Sequence, residues 1–133
     1  MILNKKGFTL VELLGVLTIM AIIGVIAVIS IDGMMEEAQK TECESVVLSL
    51  KNATKEYVSD NRFNLNKSKL ESVSIGTLIT NGYLTNKITN PFTKDDVTNI
   101  MKSKDIKTTL NNDYTVKTIT IDFIDCANSD FPS

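Results

Sequence analysis

Glu12 is the one charged residue between Phe8 and Ile31, a stretch otherwise built from aliphatic residues, Phe, Gly and small hydroxyl side chains. A carboxylate at the middle of a bilayer costs about 2.5–3.5 kcal/mol on insertion scales. Near one end the cost is smaller, but the acid still needs a partner. No Lys, Arg or His lies within the run, so no side chain of the same helix can neutralise it. Gly7 and Phe8 suggest a source. A cut between them would free an amine on Phe8, one helical turn from Glu12 by spacing. Helices lying side by side with a small axial stagger could then pair the amine of one chain with the carboxylate of the next. That pairing neutralises both charges inside an apolar bundle.

Little else in the sequence offers chemistry. There is no histidine, which removes the commonest general base and the usual zinc ligand. No nucleophile elbow, phosphate-cradling glycine loop or HExxH motif is present. The reading is therefore a non-enzyme with no cofactor, no metal site and no catalytic residue. Asp95 and Asp96 are adjacent and lack the alternating pattern of a calcium loop, so a solvated turn is expected there. Cys43 and Cys126 are too far apart for a CxxC metal or redox motif.

The run from Phe8 to Ile31 is long enough to position Glu12 in a membrane. As a helix it would cover about 36 Å, against about 30 Å of hydrocarbon. Lys5 and Lys6 precede it and should hold that end in the cytoplasm, leaving the larger part outside. A cleaved secretory signal fits poorly, because the run is too long and residues 26–30 offer a poor cleavage site. A plain membrane anchor explains the length but not Glu12. Beyond Ile31, the residues Gln39, Cys43, Val46, Leu50, Ala53 and Tyr57 recur at helical spacing, with Glu37, Lys40, Glu44, Lys51 and Lys55 opposite. No proline interrupts residues 8–90, so one helix from about Phe8 to about Asp60 is predicted.

The segment Lys5-Lys6-Gly7-Phe8-Thr9-Leu10-Val11-Glu12-Leu13-Leu14 resembles the class III signal of type IV pilins and pseudopilins. That signal is a short basic leader ending in Gly, then Phe, then an apolar run with Glu at the fifth mature position. The resemblance implies cleavage by prepilin peptidase between Gly7 and Phe8, N-methylation of Phe8, and a docking role for Glu12 in filament assembly. It divides the chain into a leader (1–7), a transmembrane or filament-core half-helix (8–31), and an exposed globular domain (32–133) that includes the amphipathic half of the helix. The implied partners are other pilin subunits, prepilin peptidase, an inner-membrane assembly platform, and the membrane before assembly. The implied route runs from a single-pass cytoplasmic membrane protein, N-terminus inside, to an extracellular filament serving adhesion, motility, DNA uptake or secretion. The rival reading is a membrane-anchored extracellular binding module. Many pilins carry a proline two-thirds along this segment, whereas here Val25-Ile26-Ala27-Val28-Ile29 has none. A continuous helix is therefore expected, with Gly24 as a weak point.

The expected fold class is α+β and pilin-like, with the long helix packed on a small antiparallel sheet. Residues 61–72 read as a surface loop. Ser74 reads as the N-cap of a short helix from Ile75 to Asn81, ended by Gly82. Leu78 to Leu84, followed by Asn90-Pro91-Phe92, is similar to an L-x-x-x-G-Y-L … P segment of pilins, which implies core roles for Leu78, Tyr83 and Leu84. Asp105–Leu110 and Tyr114–Ile124 read as strands joined at Asn111-Asn112-Asp113, with a bulge near Lys117 or Thr118 where the apolar parity changes. Residues 97–102 fit either a strand or a helical turn. A bridge between Cys43 and Cys126 is permitted outside the cytoplasm and would tie the C-terminal end to the helix. Two unpaired thiols fit the sequence as well, because spacing does not fix distance. Residues 32–133 carry 12 Lys and Arg against 15 Asp and Glu, a weakly acidic balance that disfavours a dedicated nucleic-acid binder. Lys94, Lys102, Lys104 and Lys107 could form a local patch for DNA, but a solvated surface is the favoured reading.

Overall fold

The computed structural model describes Gly7 and residues 9–133, without the side chains of residues 29 and 30. Helix α1 runs from Leu10 to Asn61. It passes through Gly15, Gly24 and Gly33 without interruption, as a proline-free aliphatic sequence should. By contacts the chain forms two units, one ending at Glu37 and one covering residues 38–133.

In the first unit every residue of α1 whose burial is described is exposed. The second unit behaves differently. Cys43, Leu50, Ala53, Thr54, Tyr57 and Val58 are buried at helical spacing and form a stripe that faces a core. Thr54 is wholly buried, and its hydroxyl donates to the Leu50 carbonyl at 2.7 Å, so burying it leaves no lost hydrogen bond. At the C-terminal end Asn61 donates its side-chain amide to the Tyr57 carbonyl, while its own carbonyl accepts from Asn64 and Leu65. Those bonds satisfy groups that a helix end leaves open.

The predicted loop over 61–72 contains more structure than its polarity suggested. A short helix α2 (Lys67–Glu71) buries Leu70, and a three-residue strand β1 (Ser72–Ser74) follows. Helix α3 (Ile75–Thr80) starts where expected, with the Ser74 hydroxyl accepting from the Thr77 amide at 3.1 Å. Gly82, at φ +82°, turns the chain out of it. Gly76 is required for a different reason. A Cβ there would lie 3.0 Å from the Lys102 carbonyl oxygen, where α3 approaches helix α4 (Thr98–Lys102). Residues 97–102 thus resolve as helix.

Strand β2 (Asp105–Leu110) has the predicted limits and alternates cleanly, with Ile106, Thr108 and Leu110 buried. Strand β3 (Val116–Thr120) is shorter than the predicted Tyr114–Ile124. The sheet is antiparallel in the order β1-β2-β3. Thr109 pairs with Thr118 and Leu110 with Val116, so Lys117 is the extra residue of a bulge at the expected place. Val73, Ile106 and Leu110 of the sheet share one core with the α1 stripe, and Ile75, Leu78, Met101 and Phe131 complete it. Leu78 is fully buried, while Tyr83 and Leu84 are half-buried at its margin.

A disulfide joins Cys43 to Cys126 across 83 positions, with Cα atoms 5.7 Å apart. It pins the chain after the sheet to the middle of α1, where Cys43 is fully buried. In the chain-entropy account a loop of this size contributes up to about 4–5 kcal/mol. Reduction, or the Cys43→Ala/Cys126→Ala pair, should cost about 2–5 kcal/mol of unfolding free energy, measured by urea titration of the full chain in detergent with and without reductant.

Three surface turns are each closed by an aspartate. The Asp96 carboxyl lies below the usual carboxylate range, chiefly because the Thr98 hydroxyl donates to it. The Thr115 hydroxyl does the same for Asp113, and the Asn128 side chain for Asp125. Groups held low contribute stability above the unfolded value near 3.8 and lose it as pH falls through their folded values. These three groups should therefore lower the melting temperature in acid, below the ordinary carboxylate range. Asp125→Asn should flatten part of that drop when melting is followed by circular dichroism against pH.

Candidate functional site at the start of the long helix

The first turn of α1 is closed by two reciprocal bonds. The Thr9 backbone N–H donates to Glu12 Oε2 at 3.0 Å, and the Glu12 N–H donates to Thr9 Oγ1 at 3.2 Å. The Thr9 carbonyl already accepts from Leu13, which makes Thr9 the N-cap and Glu12 the third helical residue. This is a capping box, which satisfies donors that a helix start otherwise leaves without partners. The negative charge also sits at the positive end of the helix dipole.

This geometry corrects one premise of the sequence reading. No side chain of the helix neutralises Glu12, but its carboxylate has a hydrogen-bonding partner in its own chain. The pattern Thr9-Leu10-Val11-Glu12 is the S/T-x-x-E capping signature, so the signal was legible. It was missed because only charged partners were sought. The box uses one carboxylate oxygen. Among the described residues Oε1 has no donor, so it remains available to a cation. Thr9 and Glu12 are both exposed.

Gly7 is exposed, and nothing lies within 4 Å of a methyl group built on it. Phe8, expected to carry the new amine, lies outside the described residues, as does the rest of the expected leader, residues 1–6. The structure therefore brings Thr9 and Glu12 together and does not describe the distance from Glu12 to residue 8. Further along the apolar run, Thr18 hides its hydroxyl by donating to the Leu14 carbonyl at 2.7 Å.

The surface beyond this first turn is apolar all round. Leu10, Val11, Met20, Val25 and Val28 are each at least 60% exposed. The segment's mean hydropathy reaches 2.8 over its best window, and none of that window is buried. By length and composition it suffices to cross a membrane. Among the described residues no group of three or more His, Cys, Asp or Glu could hold a metal ion. The basic residues considered for DNA are partly engaged elsewhere. Lys94 pairs with Glu42 and Lys107 with Asp122, both at 2.6 Å. The Asp122 carboxyl is correspondingly low and the Lys107 ammonium correspondingly high.

Residues 2–28 match the family model of the prokaryotic N-terminal methylation motif, which is the class III signal peptide of type IV pilins and pseudopilins. No curated protein and no solved structure matches the chain. The match ends within the apolar segment and does not reach the globular unit.

Losing the cap should fray the first turn. Thr9→Ala should cost roughly 1 kcal/mol there, which corresponds to about fivefold faster amide exchange at residues 12 and 13 in detergent micelles. Thr9→Ser should restore the protection, because serine caps equally well.

Proposed function

We propose that the chain is the precursor of a structural subunit of a type IV pilus-like filament, cut between Gly7 and Phe8 and methylated on the new amine. The observation that carries this reading is the position of Glu12. It is the only charge on an apolar helix surface, in a segment matching the methylation motif, and among the described residues one of its carboxylate oxygens has no donor. Gly7 supports the cut by elimination. The described fold makes no use of its missing side chain, so the requirement for glycine would come from an enzyme that reads the chain.

The physics of assembly follows from the two environments of α1. An apolar surface of this extent does not stay in water. Before assembly, lipid covers it, with Lys5 and Lys6 on the cytoplasmic side. Afterwards, neighbouring copies of the same helix cover it. Moving from lipid to a helix bundle exchanges one apolar medium for another and gains little hydrophobic energy. Packing contacts and polar pairing must supply the difference and set the stagger. The Phe8 ammonium of one subunit and the open Oε1 of Glu12 in the next would form that pair. The capping bond to Oε2 would hold the carboxylate in place. Prepilin peptidase and an inner-membrane assembly platform are the partners such a route requires. The disulfide suits a globular unit that ends outside the cytoplasm.

Mass spectrometry of the mature chain should find Phe8 at the N-terminus carrying one extra methyl group. Gly7→Val should leave the leader attached. Glu12→Gln should keep membrane insertion but sharply reduce the chain recovered in sheared surface filaments, because the neighbour's ammonium would be buried without a counter-charge. Unchanged recovery would instead favour a tethered extracellular module.

A further inference from the structure

Several charged groups of the globular unit are already engaged by other side chains. Lys94 and Lys107 are in ion pairs, and Asp60 accepts from the Tyr83 hydroxyl at 2.9 Å. Lys55 and Arg62 are different. Lys55 and Ser59 lie on one face of the end of α1, Arg62 follows just past the helix, and with Tyr114 and Thr115 they line a pocket of about 150 Å³. That is room for roughly five waters. No ion pair is described for either cation among the described residues.

Two features of this cavity are costly. Arg62 is the only arginine in the sequence. Its Nε is shut off from solvent and has no hydrogen-bond acceptor, a loss of about 1–3 kcal/mol for an ordinary buried donor. Its guanidinium carbon lies 4.6 Å from the centroid of the Phe63 ring, and Phe63 is 84% exposed. Tyr114 sits at φ +64°, a left-handed conformation that an aromatic residue adopts with strain. Asn112 is two positions away, and asparagine accepts that conformation more cheaply. The turn nevertheless places a tyrosine there, its amide donating to the Asn111 carbonyl at 3.1 Å. Asp113 is an opposing charge that interacts electrostatically with Arg62. Its Oδ1 is occupied by the Thr115 hydroxyl at 2.6 Å and the Thr115 amide at 3.2 Å, and no ion pair to Arg62 is described.

Two cations, a serine hydroxyl with no described partner and an adjoining tyrosine are complementary to one kind of ligand. We propose that this pocket binds a small oxyanion, a carboxylate or phosphate carried on a sugar-sized ring. Arg62 and Lys55 would hold the oxyanion, the guanidinium through its fixed fork of donors. Tyr114 and Phe63 would lie against the ring. The site is independent of the filament reading and uses none of the residues invoked for it.

The test is an NMR titration of the full chain in non-ionic detergent micelles at fixed ionic strength, with glucuronate, glucose 6-phosphate and glucose as probes. Saturable shifts confined to the amides of Ser59, Arg62, Tyr114 and Thr115 are expected with one or both anions and not with glucose. The two anionic probes distinguish a carboxylate from a phosphate source. Arg62→Gln and Lys55→Gln should each weaken binding about tenfold. Tyr114→Asn, which tolerates the same turn, should weaken binding while leaving the melting temperature unchanged. A purely structural tyrosine would show the reverse. An equal response to glucose, no saturation with either anion, or undiminished binding by Arg62→Gln would overturn the proposal.

Discussion

An α-helix satisfies its backbone hydrogen bonds internally, and this allows α1 to carry two unlike surfaces on one continuous backbone. Up to Glu37 every residue whose burial is described is exposed. From Ala38 onward, side chains at helical spacing are lost from solvent. A strand could not serve both parts, because its backbone needs a neighbour wherever water is absent. Each end of the helix then has its own problem. The N-terminal turn must satisfy open donors in apolar surroundings, and the C-terminal half must be given a core.

The N-terminal solution uses two residues. Thr9 and Glu12 each satisfy the other's backbone N–H, and the carboxylate that does so is the only charge on the apolar surface. Position 12 thus has a local reason to carry a side-chain acceptor that does not depend on assembly. The cap is compatible with the proposed assembly role, because a carboxylate has two oxygens and the cap uses one. A glutamine could also close a capping box, but it brings no charge to offset a buried ammonium. Capping alone would allow either residue. The acid is required only when a cation is to be met.

The C-terminal solution is a thin cover. Three short strands, small helices and connecting turns enclose a core built around Leu50, Val58, Leu70, Ile75, Leu78 and Ile106. Full burial of each large aliphatic side chain contributes about 1.5–3 kcal/mol. A core of this size leaves a modest margin over chain entropy, so the Cys43–Cys126 cross-link is well placed. It ties the last part of the chain to the element formed first in sequence. The Thr108 hydroxyl, buried without a partner on β2, works against this margin. Ion pairs such as Lys94–Glu42 add little, since both side chains remain about half exposed.

What the sequence determined by itself is whatever depends on near neighbours along the chain. The extent of α1, the Ser74 cap, the turn at Gly82, the limits of β2 and the bulge at Lys117 all follow from periodicity, capping chemistry or parity within a few residues. The methylation motif is local in the same sense. Tertiary structure decided what depends on distant partners. Ser72-Val73-Ser74 is too short to show an alternation, and it is a strand because Asp105, Ile106 and Lys107 lie beside it. Strand β3 stops at Thr120, although the alternation in its sequence continues to Phe123. The distance between Cys43 and Cys126, and the meeting of Lys55 and Arg62 with Tyr114, were likewise invisible to spacing. Pairings across tens of residues are chosen by the free energy of the whole packed unit, and no local window of sequence contains that quantity.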